Sequence, residues 1–253
     1  MPDVQESSPP ATPPSRIDTI MEQASRALAQ TKSIECEMLC LRAMELAVAE
    51  TDWDRAARIV LPLQEARRLR RQVATDSGTV RIVDTPAQAR MRAEGVCSLF
   101  QPPLVAADAR AFREASLKQG VPVFVLTREP MTRDGLWPVS AVGSAEDLTL
   151  RVRIPPPPGV EPRPSGVTRD EITRPIPVSW FEAAAEALGD AAIASVSPKE
   201  PAAHRVLDLI DRLSALPEHE KLHQALEWAC QEALLEPPPK LPRRRGREDA
   251  FSF

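Results

Sequence analysis

Apolar residues recur along the chain at two different spacings. From Ser15 they fall three and four positions apart, at Ile17, Ile20, Met21, Ala24, Ala27 and Leu28, the spacing of one face of an amphipathic helix. Ser15 is placed to cap it. Lys32-Ser33 breaks the pattern, and Ser33 can cap a second helix, Ile34 to about Glu50, which is apolar round most of its circumference (Met38, Leu39, Cys40, Leu41, Ala43, Met44, Leu46). A helix this apolar is covered on more than one side, so it is expected between its two neighbours. Thr51-Asp52 opens a third helix from Trp53 to about Val73, in which Pro62 is expected to force a kink or a split. Arg67, Arg68, Arg70 and Arg71 crowd its end, where cations favour the C-terminal pole of a helix. A phosphate-binding patch is the alternative reading of that run.

After Asp76-Ser77-Gly78 the period changes. Val80–Val83 reads as a strand, and Pro86–Glu94 as a short helix with proline at its first position. Val96–Phe100 reads as a second strand. Ala106–Gln119 is a helix carrying Ala109, Phe112 and Leu117, stopped by Gly120. Val121–Leu126 is the most continuously apolar run, the pattern of a strand covered on both faces; Pro122 is tolerated only near its start. Gly135–Val142 and Leu148–Ile154 complete the set, the last alternating as a half-exposed strand. The order β-α-β-α-β-β-β predicts a small mixed sheet, parallel through its helical crossovers and antiparallel at its end. Val121–Leu126 is its interior strand.

Four consecutive prolines in Pro155–Pro164 predict an extended spacer. Beyond it, Ser179 and Glu182 form a capping box for a helix starting at Trp180-Phe181, and Gly189 reads as its end. Ala191–Val196 is a short apolar stretch. Ala202–Leu216 is amphipathic through Val206, Leu209, Ile210 and Leu213. Pro217 opens a last helix to about Leu235, with Leu222, Ala225, Leu226, Ala229, Cys230 and Ala233 on one face. The predicted layout is α+β: disordered 1–15, three helices over 16–76, a mixed sheet domain over 77–154, a linker over 155–177, a helical region over 178–236 and a disordered basic tail over 237–253.

Composition narrows the function classes. The chain has 253 residues, 43% hydrophobic, which permits a sizeable core. A net charge of −4 supplies no global basic field for nucleic acid, and 4% aromatic residues with no tyrosine supply little stacking surface for single strands. No apolar run reaches membrane-spanning length, and the acidic, proline-rich start does not resemble a secretory signal. Four cysteines, Cys36, Cys40, Cys97 and Cys230, form neither a disulfide framework nor a CxxC pair. A reducing, cytoplasmic setting follows.

Three constellations could carry chemistry. His219-Glu220-Lys221-Leu222-His223 fits HExxH, in which two histidines one turn apart hold zinc and the glutamate activates its water. In that alternative His219 and His223 are metal ligands and Glu220 is the catalytic base of a zinc-dependent hydrolase. The chain lacks the continuation that would supply a third ligand, since Leu226 and Ala229 stand where glycine and histidine are required. With that set incomplete, no catalytic residue, metal or cofactor is assigned. Cys36 and Cys40 lie one helical turn apart, the spacing of buried hydrophobic packing. The loop after the interior strand concentrates Arg128, Glu129, Arg133 and Asp134 beyond the strand's carboxyl end, where open α/β sheets bind ligands; it is the candidate small-ligand site. Lys240, Arg243, Arg244, Arg245 and Arg247 form a basic tail, read as a solvated end.

The string Asp52-Trp53-Asp54-Arg55-Ala56-Ala57 resembles the turn and second-helix opening of a tetratricopeptide-type helix pair. Ala56 falls at its small position and Val60 at its large apolar one. Met44, Leu63 and Pro62 depart from the pattern, and no second copy follows at the repeat's period of about 34 residues; a generic three-helix bundle accounts for the same segment. The resemblance implies a helical surface for another protein. The leading expectation is therefore a non-catalytic interaction or adaptor protein, with membrane and nucleic acid not among its partners. The zinc hydrolase and the small-ligand domain are the alternatives.

Overall fold

A computed structural model describes residues 15–91, 94–144, 148–160, 174–240 and Arg243. Helix α1 (Arg16–Ala29) starts as its pattern predicts: the Ser15 hydroxyl accepts from the Asp18 N–H, and the Asp18 carboxylate accepts from the Ser15 N–H. Helix α2 (Ser33–Ala49) lies between its neighbours, with Cys36, Cys40, Ala43 and Ala47 fully buried. It begins at Ser33 itself, and the residue before it, Lys32, makes no side-chain cap. Asp52 caps α3 (Trp53–Asp76), and Arg55 pairs with both Asp52 and Asp18, tying α3 to α1. Hydrogen bonding from Arg55 holds the Asp18 carboxyl well below the usual carboxylate range. Of the kink or split expected at Pro62, the split does not occur: α3 runs through the proline as one helix. The proline forfeits one backbone bond, but α2 and α8 hold the helix from two sides, and Ile59, Val60 and Leu63 are buried around it.

The sheet follows the predicted order, β1 (Val80–Val83), β2 (Cys97–Phe100), β3 (Phe124–Arg128), β4 (Trp137–Val142) and β5 (Thr149–Ile154). The first three are parallel and the last two join antiparallel. Short helix α4 (Pro86–Arg90) and helix α5 (Ala106–Lys118) provide the crossovers. β3 is the middle strand, but it begins later than the apolar run suggests: Val121, Pro122 and Val123 precede it, so the proline with no N–H stays off the ladder. Alternation then sorts the side chains. Cys97, Leu99, Phe124, Leu126, Trp137 and Val139 face the main core, while Val83, Phe100 and Val125 face a smaller one with Leu104, Ala109 and Phe112. β5 is one edge, opposite β1, with Leu150 its one buried side chain.

Helix α6 (Val178–Ala194) is continuous through Gly189 and takes up most of the apolar stretch after it. Gly189 does not end the helix; it makes room for a ring. A Cβ there would lie 2.2 Å from His219 Cδ2. Helix α7 (Ala202–Ala215) matches its prediction, whereas α8 (Glu220–Leu235) begins three residues after Pro217, which lies buried in the preceding turn. α3 packs on α8, and the main core joins α1–α3, one sheet face and α6–α8. Phe124 meets Phe181 of α6 edge-on at 5.0 Å, and Trp137 meets Trp180 at 5.5 Å. Of the proline segment, Pro157 and Ile176 are buried, and the Trp180 indole donates to the Pro155 carbonyl; the expected spacer over 161–173 lies outside the described residues. So do the segment expected to be disordered, 1–14, and most of the basic tail. Among the described residues no helix is long and apolar enough to cross a membrane.

Phe124 is fully buried in the middle strand, against Phe181 and the Arg71 guanidinium. Phe124→Ala is expected to cost on the order of 3–5 kcal/mol in equilibrium urea unfolding. A loss below about 1 kcal/mol would mean that β3 is not the centre of the core.

Candidate functional site

The HExxH residues are wired for structure. His219 is the N-cap of α8, just outside the helix, and its Nδ1 accepts from the Leu222 N–H at 3.2 Å. His223 Nε2 lies 3.2 Å from Arg67 Nη1. A guanidinium can only donate, so Nε2 accepts and the proton sits on Nδ1, which donates to the His219 carbonyl at 2.9 Å. Both ring nitrogens of His223 are thus occupied. Glu220 is the first residue of α8, half-buried. All three histidines of the chain are described, and among the described residues no group of three or more His, Cys, Asp or Glu side chains could hold a metal ion. The donor set does not fit zinc, because His223 has both nitrogens engaged and only Nε2 of His219 is left without a hydrogen-bond partner. Burial, then Arg67, lowers His223 to a pKa of about 3, and burial also lowers His219. Cys36 and Cys40 are free and buried, their sulfurs 3.9 Å apart.

The loop after β3 does not gather its four candidates. Arg128 is buried, bonded through Nε and Nη2 to Gln101 Oε1 at 3.1 and 2.7 Å, with its guanidinium 4.4 Å over the Trp137 ring. Glu129 pairs with Arg151 of β5 at 2.8 Å. Arg133 and Asp134 are exposed on a turn that Gly135 completes at φ +77.

The interior basic residues come from α3 instead. Positions 67, 70 and 71 share one helix face, and that face points inward. Arg67 Nε lies 2.8 Å from the Glu37 carboxylate and Arg70 Nε 3.1 Å from it. Arg70 reaches Glu218 at 3.4 Å, and Arg71 reaches Glu182 at 3.3 Å and Glu186 at 2.9 Å. Arg68 alone turns outward, to Glu65. The run is therefore neither a solvated C-terminal charge nor a phosphate patch: Arg67, Arg70, Glu37 and Glu218 are all at most 5% exposed. Burial pushes the Glu37 carboxyl upward, but Arg67 and Arg70 outweigh it and hold the group below its ordinary value.

Arg113 of α5 joins the cluster from the sheet side. It donates to the Ala215 and Ser214 carbonyls at 2.8 and 2.6 Å, the last turn of α7, and among the described residues no carboxylate is a hydrogen-bond partner. Burial lowers its pKa. Arg70 Nη1 and Glu218 Oε2 are buried without hydrogen-bond partners.

Beside this cluster is a cavity of about 410 Å³ between α2, α3, α5, α7 and α8. Glu37, Arg67 and Arg113 line its buried side, and its walls include Leu41, Met44, Leu63, Leu117, Ile210 and Leu226. Glu45, Glu114 and Asp211 border it, as does Arg243, which pairs with Asp208 and Asp211 at 2.5 Å. That arginine of the basic tail is docked on α7 and not solvated. A second depression, about 580 Å³, lies between α1 and α3 and is lined by Ile17, Met21, Leu28, Leu61 and Pro62. Glu37, Arg113 and Glu218 were not singled out by spacing. A carboxylate among the apolar positions of α2, and an arginine next to Phe112 on the apolar side of α5, are the traces they leave.

The lowered His223 pKa fixes a pH dependence. Between its ordinary value of 6.5 and the native value of about 3, the unfolded chain binds a proton that the native chain refuses. Stability therefore falls as pH falls through this window, by up to ~1.4 kcal/mol per pH unit for each such histidine. His219 acts in the same direction. Urea unfolding at pH 7, 6 and 5 should show this loss, with a shallower slope for His223→Gln; equal slopes would mean that His223 is protonated in the native state. Compared with protein-family models, curated proteins and solved structures, the chain shows no match.

Proposed function

We propose that the chain is a non-catalytic binding protein that seats a small, mainly apolar molecule in the cavity between α2, α3, α5, α7 and α8. One observation carries this reading: apolar walls enclose a space of about 410 Å³ on which buried charged groups converge. This is the make-up of small-molecule sites, where apolar surface supplies affinity and a few polar groups fix orientation. The lining argues against catalysis in that space. It contains no histidine and no thiol, and its buried carboxylate, Glu37, is held ionised between two guanidiniums instead of being poised to move a proton.

The reading keeps the non-catalytic character expected from the sequence and moves the ligand seat away from Arg128, Glu129, Arg133 and Asp134. A protein-interaction role is the second reading. It is favoured by the α1–α3 groove, where Leu61 is 66% exposed on the helices that resemble a tetratricopeptide pair. Such a groove suits the apolar face of a partner helix.

A thermal-shift screen of small amphipathic molecules tests the first reading. A specific ligand at about 100 times its Kd should stabilise by roughly 2.7 kcal/mol. Leu117→Trp, which fills the cavity from a half-buried wall position, should abolish the shift, and Arg133→Ala should leave it. A shift lost in Arg133→Ala and kept in Leu117→Trp would return the site to the loop.

A further inference from the structure

We infer that the ligand of this cavity carries one anionic head, a carboxylate on an apolar body, and that Arg113 receives it. The inference rests on the cavity being the binding site, and it comes from the charge balance of the interior. In the cluster, Arg67, Arg70 and Arg113 face Glu37 and Glu218, and all five side chains are buried. Among the described residues, three cations against two carboxylates leave one positive charge, and the neighbouring histidines are neutral. Arg71 does not alter this count, because its partners Glu182 and Glu186 are about a third exposed and solvent-screened. The acids at the border do not neutralise it either. Glu114 pairs with Arg110 and Glu45 is exposed, while Asp208 and Asp211 share Arg243 at the partly exposed rim, where solvent screens their excess charge.

The spare charge belongs to Arg113. Arg67 and Arg70 each have a carboxylate within 3.1 Å, whereas Arg113 donates to two main-chain carbonyls. A guanidinium has five N–H groups, and those two bonds use two of them. Arg113 lines the cavity together with Arg67. A carboxylate offers two oxygens in the plane that matches a guanidinium fork, and a desolvated cation gains most from a partner of opposite sign. The leucine, isoleucine and methionine walls then take the apolar body. The acidic border disfavours a second anionic group on the same ligand.

Octanoate, 1-octanol and octylamine share one apolar body and differ in the head, so titration calorimetry of the full chain with all three is decisive without any variant. Octanoate is expected to bind about tenfold or more tightly than octanol, as a charge-assisted bond in a dry site requires, and octylamine most weakly. In Arg113→Met the octanoate affinity should fall to that of octanol in the same variant. Octanol binding as tightly as octanoate would overturn the anionic head and leave the cavity reading standing. A preference for octylamine would overturn it in favour of the acidic border. Octanoate selectivity that survives Arg113→Met would remove Arg113 from the role, and failure of all three probes would remove the cavity reading and this inference together.

Discussion

The Glu37 carboxylate, held between Arg67 and Arg70 in the interior, is the interaction on which the rest of the structure depends. Taking such charges out of water costs several kcal/mol per ion, and only close, well-placed partners offset it. That requirement fixes positions. Glu37 belongs to α2, the arginines to α3, and Glu218 to the turn before α8, so the pairs are made only when three helices from opposite ends of the chain stand in one register. Arg71, one position along the same face, extends the link to α6 and lies over the Phe124 ring of the middle strand. Helix α3 thereby touches each layer through a single face. Its arginines set the geometry, and the surrounding apolar burial supplies the driving force.

The same network engages the histidines of the metalloprotease-like string in structural contacts. His219 spends Nδ1 on the α8 cap, and its ring occupies the space that Gly189 leaves open in α6. His223 spends both nitrogens on Arg67 and on the backbone. A protonated His223 beside Arg67 would add a fourth cation to the buried cluster, so the ring stays neutral and the fold becomes acid-sensitive.

Much of the fold is legible in the sequence because it is written in local periods. Three-and-four spacing marks α1, apolar residues round most of the circumference mark α2, an amphipathic face marks α7, and the change to short apolar runs marks all five strands, in their correct order and mixed direction. What is not legible arises from contacts between distant positions. Arg67 and Glu37 are 30 residues apart, and Arg70 and Glu218 are 148 apart, so no window containing one shows the other. A run of arginines then reads as surface, where arginine usually lies. Gly189 and Pro62 mislead for a related reason. Glycine signals either a stop or a close approach, and which applies depends on the His219 ring thirty positions later. A proline break is overridden when neighbouring helices hold both sides. The loop candidates are separated in the same way: Arg128 lies over Trp137, bonded to Gln101, while Glu129 pairs with Arg151.

The most direct measurement is the stability of Glu37→Gln, which keeps shape and one acceptor but removes the charge. Equilibrium urea unfolding followed by tryptophan fluorescence should show a loss on the order of 3–5 kcal/mol, the cost of stranding buried arginines. Glu35→Gln, on the exposed side of the same helix, should stay within about 0.5 kcal/mol of the parent. If the two variants are equally mild, the interior ion network does not hold the helices together and the account is wrong at its centre.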